Sequence, residues 1–142
     1  MTTTNINTLD LIVTKMAHGK TLSKALHDVY TKRNVAIPYE EEWLDCKLAS
    51  LNMSMRTTNA LLRNKFTTIR DVVDFIATRD EVDFTPTNKI SSLPTFGRVA
   101  GIELFEAILD YCWKQMSQEK KDKFIIDVVI RNSDNLRDEI EL

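Results

Sequence analysis

The sequence predicts an all-α protein. Apolar residues recur at helical spacing through most of its 142 residues, and the chain contains only 3 Gly and 3 Pro. A sandwich or a barrel needs more turn residues than this, and no alternating pattern indicates a strand. We therefore expect helices over well over half of the chain and no sheet of three or more strands.

Composition places the chain among folded globular proteins. Apolar residues make up 43% and charged residues 28% of it, and the length suits one domain with its own core. The net charge of −2 excludes a strongly basic coat for nucleic acid but leaves room for a local basic patch. We expect no transmembrane span and, because residues 1–5 lack a basic segment before an apolar stretch, no secretory signal. Reduced thiols at Cys46 and Cys112 and a cytoplasmic location are therefore expected.

Two helices are predicted in residues 1–37, which form an N-terminal helical extension. The first covers residues 8–18 and ends before Gly19, and Thr21 is expected to cap the second. The second helix carries an apolar stripe as far as Tyr30, after which residues 35–38 form a short extended linker. We interpret the pair as an extension that packs on the rest of the chain, with a helix-turn-helix as the alternative.

Residues 38–116 form the predicted central domain. The predicted helices lie at residues 40–44, 55–65, 68–78 and 97–116. Ser54 is expected to cap the helix over residues 55–65, and Thr68 with Asp71 forms a variant capping box at the next helix. A polar loop over residues 80–89 and a turn over residues 91–97 are expected before the long helix.

Residues 117–142 form the predicted C-terminal helix and acidic tail, with Ser117 as the cap and a tail from Asn132 onward that frays. In the central domain, we expect the helix over residues 55–65 to pack against the helix over residues 68–78. The residues expected to be buried are Leu61, Leu62, Ile69, Val73, Leu104 or Phe105, and Leu109.

Charge is distributed unevenly along the chain. Residues 51–79 hold five basic and two acidic residues, net +3, whereas residues 80–142 hold eight and thirteen, net −5. On a helix, the residues after Ser54 separate into two sides. One side carries Arg56, Asn59, Ala60 and Arg63, and the other carries Met55, Thr58, Leu61 and Leu62. We expect the second side to pack, while the first presents guanidinium and amide groups that suit phosphates and base edges, or is simply a solvated basic face.

The same segment carries a resemblance to a known family. It reads Leu48-Ala49-Ser50-Leu51-Asn52-Met53-Ser54-Met55-Arg56-Thr57-Thr58-Asn59-Ala60-Leu61, and it continues with Phe66-Thr67-Thr68-Ile69-Arg70-Asp71-Val72-Val73. A later segment reads Leu93-Pro94-Thr95-Phe96-Gly97-Arg98. Over about residues 48–109 the chain resembles the C-terminal domain of the bacterial RNA polymerase α subunit. That resemblance implies a compact helical domain with helix-hairpin-helix elements.

The resemblance also implies contacts with duplex DNA, preferably A·T-rich, in the minor groove and at phosphates. Arg56 matches the arginine that enters the minor groove, and Asn59 matches the asparagine beside it. Gly97 matches the glycine whose backbone approaches a phosphate, and Arg98 matches the basic residue after it. Val99 and Ala100 stand where the family has a lysine and a serine, which removes one charge and one hydroxyl. Arg63 and Lys65 are expected to supply charge on the adjoining surface.

No pattern in the sequence indicates an enzyme, a cofactor or a metal site. Gly19-Lys20-Thr21 resembles the end of a phosphate-binding loop, but Thr14 occupies the position that requires the earlier glycine. We therefore expect a non-enzymatic DNA-binding protein linked to transcription control, of bacterial or phage type. The alternative is a module that docks on RNA polymerase or another regulator without binding DNA.

Overall fold

The fold is described from a computed structural model that covers residues 1–30, 35–78, 80–83, 89–94 and 96–137. Four sequence-based expectations fall outside these residues. They are the basic end of the second helix at Lys32 and Arg33, the part of the loop that contains Pro86, Thr95 in the turn, and the last five residues of the tail.

Helices make up 66% of the described residues, which confirms a mostly helical fold. The α-helices are α1 (Thr3–Ala17), α2 (Leu22–Val29), α3 (Met55–Arg63), α4 (Ile69–Ile76), α5 (Gly97–Gln115) and α6 (Gln118–Arg131). Short 3-10 helices lie at Glu41–Trp43, Leu48–Ser50 and Lys89–Ser92.

The predicted helix caps are confirmed. The side chains of Thr21, Ser54 and Ser117 each accept a hydrogen bond from a backbone N–H in the first turn of α2, α3 and α6. Thr68 and Asp71 form a full capping box at α4. The Asp71 carboxylate accepts hydrogen bonds from backbone N–H groups before the helix, which lowers the pKa of this side chain.

The expectation that the chain forms no sheet is wrong. Strands β1 (Ala36–Pro38), β2 (Ala77–Thr78) and β3 (Glu81–Asp83) form an antiparallel sheet in the order β1-β3-β2. The predicted linker is thus an edge strand, and part of the predicted polar loop is the central strand. Strands of two or three residues are too short to show an alternating pattern, so no periodicity in the sequence predicts them.

The first helix begins earlier and the C-terminal segment is better fixed than expected. The hydroxyl of Thr2 caps α1 by accepting from Asn5, so α1 starts five residues before the predicted position. After α6, the Asn132 amide pairs with the N–H and C=O of Ala36 at 2.8 and 2.9 Å, which covers the outer edge of β1. The backbone N–H of Arg137 donates to Val29 at 3.0 Å. Residues 132–137 therefore do not fray.

One apolar core joins all of these elements. Of the residues expected to be buried, only Leu62 is exposed, while the others belong to this core. The main helix contacts of α5 are with α2 and α3, whereas α4 contacts β3 and the 3-10 helix at Lys89–Ser92. We expected α3 to pack against α4, but its main contact is with α5. The division into residues 1–37, 38–116 and 117–142 stays a prediction.

Two further features concern the helices and the thiols of the described residues. Among the described helices, none combines the length and the apolar character that crossing a membrane requires. Cys46 and Cys112 are free thiols, the first half-buried and the second buried.

Asp110 of α5 fixes the start of α2. Its carboxylate accepts hydrogen bonds from the backbone N–H of Ser23 at 3.0 Å and from the hydroxyl at 2.7 Å, and Ser23 is fully buried. We predict that Asp110→Ala lowers the free energy of unfolding by about 1–3 kcal/mol, because two buried donors lose their acceptor. Urea denaturation measures this loss. Asp122→Ala, which removes an exposed surface carboxylate, should change stability by less than about 0.5 kcal/mol, and equal losses in the two variants would contradict the assignment.

Candidate nucleic-acid interface

Helix α3 presents a basic side to solvent. Arg56, Asn59 and Arg63 are exposed, as predicted. The buried side, however, agrees with the predicted one only at Leu61, because it consists of Thr57, Ala60 and Leu61. Ala60 therefore lies in the core rather than on the polar side.

Two apolar residues that were expected to pack are exposed instead. Met55 is 80% exposed and Leu62 is 44% exposed. The small side chains of Thr57 and Ala60 take the packing positions, and α3 makes its main contact with α5. The exposed face of α3 is therefore both basic and apolar.

Helix α5 starts with an open first turn. Gly97 has φ of +83°, a left-handed conformation that favours glycine, and a Cβ added there would meet no atom within 4 Å. The residue before it, Phe96, provides no side-chain acceptor for the first N–H groups of the helix. Backbone donors at a helix start without such a cap are suited to an anion.

The structure brings the start of α3 and the start of α5 together. Arg56, Gly97 and Arg98 line one groove of about 380 Å³. These three are the residues that the resemblance placed at the minor groove and at a phosphate. Asn59, Arg63 and Lys65 do not line the groove, although Asn59 and Arg63 lie on the exposed side of α3.

A carboxylate that the sequence did not single out also lines the groove. Glu103 accepts hydrogen bonds from the backbone N–H of Ser54 and, at 3.3 Å, from its hydroxyl. No sequence pattern predicts this role for Glu103, because its partner lies 49 residues away and no local pattern joins them. The carboxylate holds α3 against α5, but it also adds negative charge to the groove.

The other end of α3 is fixed in a similar way. The Asn64 side chain, which follows the last helical residue, donates to the carbonyls of Ala60 at 2.8 Å and Pro94 at 3.2 Å. Pro94 lies in the turn before α5. Asn64 thus connects the end of α3 to the turn that precedes the open helix start, and sequence reasoning missed it for the same reason as Glu103.

Three cationic side chains near the groove are those of Arg56, Lys65 and Arg98. In the described part of the chain, no carboxylate lies within salt-bridge distance of Arg56, Lys65 or Arg98. By contrast, Arg70 on α4 pairs with Asp45 at 3.2 Å. The guanidinium groups at the groove are therefore able to pair with an added anion.

The groove has few groups that suit other chemistry. Among the residues that the structure describes, no three histidine, cysteine, aspartate or glutamate side chains are placed to hold a metal ion. At the positions where the resemblance expects a lysine and a serine, Val99 is 79% exposed and Ala100 is half-buried. The first turn of α5 thus offers backbone N–H groups and Arg98 rather than a full set of phosphate-binding side chains.

Comparison of the chain with protein-family models, with curated proteins and with solved structures finds no match. Function therefore has to be inferred from the groove itself.

Lys65, which follows Asn64 in the turn between α3 and α4, has a left-handed backbone with φ of +67°. We predict that Lys65→Gly raises the free energy of unfolding by about 0.5–1 kcal/mol, because glycine adopts this conformation without the steric cost of a Cβ. Arg63→Gly, two residues earlier but within the helix, should lower it by about 1 kcal/mol. Urea denaturation of both variants tests the assignment, and a loss of stability in Lys65→Gly contradicts it.

Proposed function

We propose that the chain binds duplex DNA through the groove between α3 and α5, in a role linked to transcription control. The observation that carries this proposal is the convergence of Arg56, Arg98 and the open start of α5 on one groove. The two segments are about forty residues apart in the sequence, and the fold brings them to one groove.

The chemistry of the groove supports DNA as the ligand. A narrow A·T-rich minor groove concentrates negative potential and attracts an inserted arginine, the role we assign to Arg56. The first N–H groups of α5, next to Gly97 and Arg98, suit an adjacent phosphate. Arg63 and Lys65 extend the positive surface beyond the groove.

The binding we propose is modest. Only a few cationic groups face the DNA, Glu103 opposes them, and Val99 and Ala100 add neither charge nor hydroxyl. Affinity that comes from a few phosphate contacts is low and falls steeply with salt. Such a domain fits a role beside another DNA-bound protein such as RNA polymerase.

A second candidate function is docking on RNA polymerase or another regulator without DNA binding. The exposed Val99 at the start of α5 favours it, because an apolar side chain at that position gains nothing from a phosphate. The response of Arg56 to substitution separates the two functions.

Arg56→Ala should weaken binding to a labelled A·T-rich duplex by about 1–3 kcal/mol, because one inserted arginine supplies a large share of so small a contact. Fluorescence anisotropy at several salt concentrations measures it. With about 2–4 phosphates neutralised, the slope of log K against log salt for the parent chain should be about −2 to −4.

Two controls accompany that titration. Arg70→Ala also removes one guanidinium group, but that group already forms ion pairs with Asp45 and Glu41. This substitution should change the affinity for the duplex little. Glu41→Ala should also change little. Absence of binding at low salt, or equal effects of Arg56→Ala and Arg70→Ala, would favour the docking function instead.

Glu103→Gln should strengthen duplex binding. The glutamine amide keeps an oxygen that accepts a hydrogen bond from Ser54, but it removes the negative charge from the groove. Across water-filled space, the repulsion between that charge and a phosphate is worth about 0.5–1 kcal/mol. Its loss should strengthen duplex binding about two- to fivefold. Glu119→Gln on α6 removes an equivalent charge away from this groove and should leave affinity unchanged. Weaker binding by Glu103→Gln would indicate that the carboxylate positions the DNA-binding groups instead of opposing the phosphates.

A further inference from the structure

The exposed face of α3 carries an apolar strip beside its basic side. Met55 and Leu62 are seven residues apart, so they lie on one side of the helix about 10 Å apart along its axis. Met55 is 80% exposed and Leu62 is 44% exposed. We refer to these two residues as the α3 strip.

The fold does not use the α3 strip for its own packing. Thr57, Ala60 and Leu61 on the opposite side bury α3 against the core. Leu62 is also absent from the groove that Arg56 lines, and the two residues are about 120° apart around the helix. The strip is therefore a surface separate from the proposed DNA groove.

Charge beside the strip is of one sign. Arg56 and Arg63 lie on one side of it, Asn59 lies between them and the strip, and the helix contains no acidic residue. A second copy of the same face would bring guanidinium groups together, which is unfavourable. A basic partner is disfavoured for the same reason, and DNA phosphates gain nothing from Met55 or Leu62.

We propose that the α3 strip docks an acidic amphipathic helix of a partner protein. Apolar side chains on such a helix, spaced by one or two turns, would cover Met55 and Leu62. Aspartate or glutamate residues beside them would face the basic side of α3, next to Asn59. The positive charge of α3 thus favours an acidic partner surface, and the helical spacing of Met55 and Leu62 favours a helix as its shape.

The test uses the full chain and a synthetic probe. The probe is a fluorescent peptide of about 14 residues, four helical turns, with leucine on one face and glutamate elsewhere on an alanine background. A scrambled peptide of the same composition and a peptide with lysine in place of glutamate serve as probe controls. Anisotropy titration should show binding of the acidic amphipathic peptide alone.

Paired substitutions locate the binding surface. Met55→Ser with Leu62→Ser should weaken peptide binding about tenfold or more, because two apolar contacts are lost. The matched control is Ile6→Ser with Val13→Ser, since these residues of α1 are also seven apart and are 45% and 51% exposed. It should leave binding within about twofold. Unchanged thermal unfolding of both double variants shows that the fold is intact.

Three results of the peptide titrations would overturn the proposal. They are no binding of the acidic amphipathic peptide, equal binding of the scrambled peptide, and equal loss of peptide binding in the two double variants. A duplex titration of Leu62→Ser supplies the remaining arm. Unchanged duplex affinity supports a separate docking strip, whereas a loss of duplex affinity would assign the strip to the DNA surface and overturn the proposal.

Discussion

The carboxylate of Glu103 fixes the geometry on which the groove depends. It accepts hydrogen bonds from the N–H and the hydroxyl of Ser54, at the N-cap of α3. A helix of nine residues has little stability of its own, so its position depends on tertiary contacts. Asn64 supplies a second anchor through the carbonyl of Pro94, and Leu61 supplies the buried contact. The location of the basic side of α3 is therefore set from the α5 side of the groove.

The two helix starts at the groove consequently differ in function. At α3, Ser54 and Glu103 satisfy polar groups of the first turn, so that end serves attachment. At α5, Phe96 offers no side-chain acceptor and Gly97 leaves the backbone open. The groups of the groove that suit an anion are therefore the backbone N–H groups at the start of α5 and the guanidinium groups of Arg56 and Arg98. The Glu103 carboxylate both attaches α3 to α5 and adds negative charge to the groove.

Local interactions could be predicted from the sequence, whereas long-range packing could not. The caps at Thr21, Ser54, Thr68 and Ser117 join atoms three residues apart, so residue type and position were sufficient. The sheet was missed because its strands have two or three residues and depend on pairing between distant segments. On the buried side of α3, only Leu61 was predicted correctly. Met55 and Leu62 were expected to pack because they are apolar, yet close approach to α5 selects the smaller Thr57 and Ala60. The groove shows the same difference between local and long-range information. Sequence motifs indicated Arg56, Gly97 and Arg98. They did not indicate Glu103 and Asn64, because the hydrogen-bond partners of these two residues lie 49 and 30 residues away.

The exposed face of α3 combines features that are usually separated on a protein surface. Its guanidinium groups favour a polyanion, whereas Met55 and Leu62 lose free energy in water unless something covers them. Neither contact alone has the size or charge of a strong interface. The two contacts that we propose would reinforce each other if DNA and protein partner belonged to the same complex, because the second contact would then form at high effective concentration. The absence of a lysine at Val99 and of a serine at Ala100 is compatible with such a domain, because shared binding reduces the affinity that the groove must supply by itself.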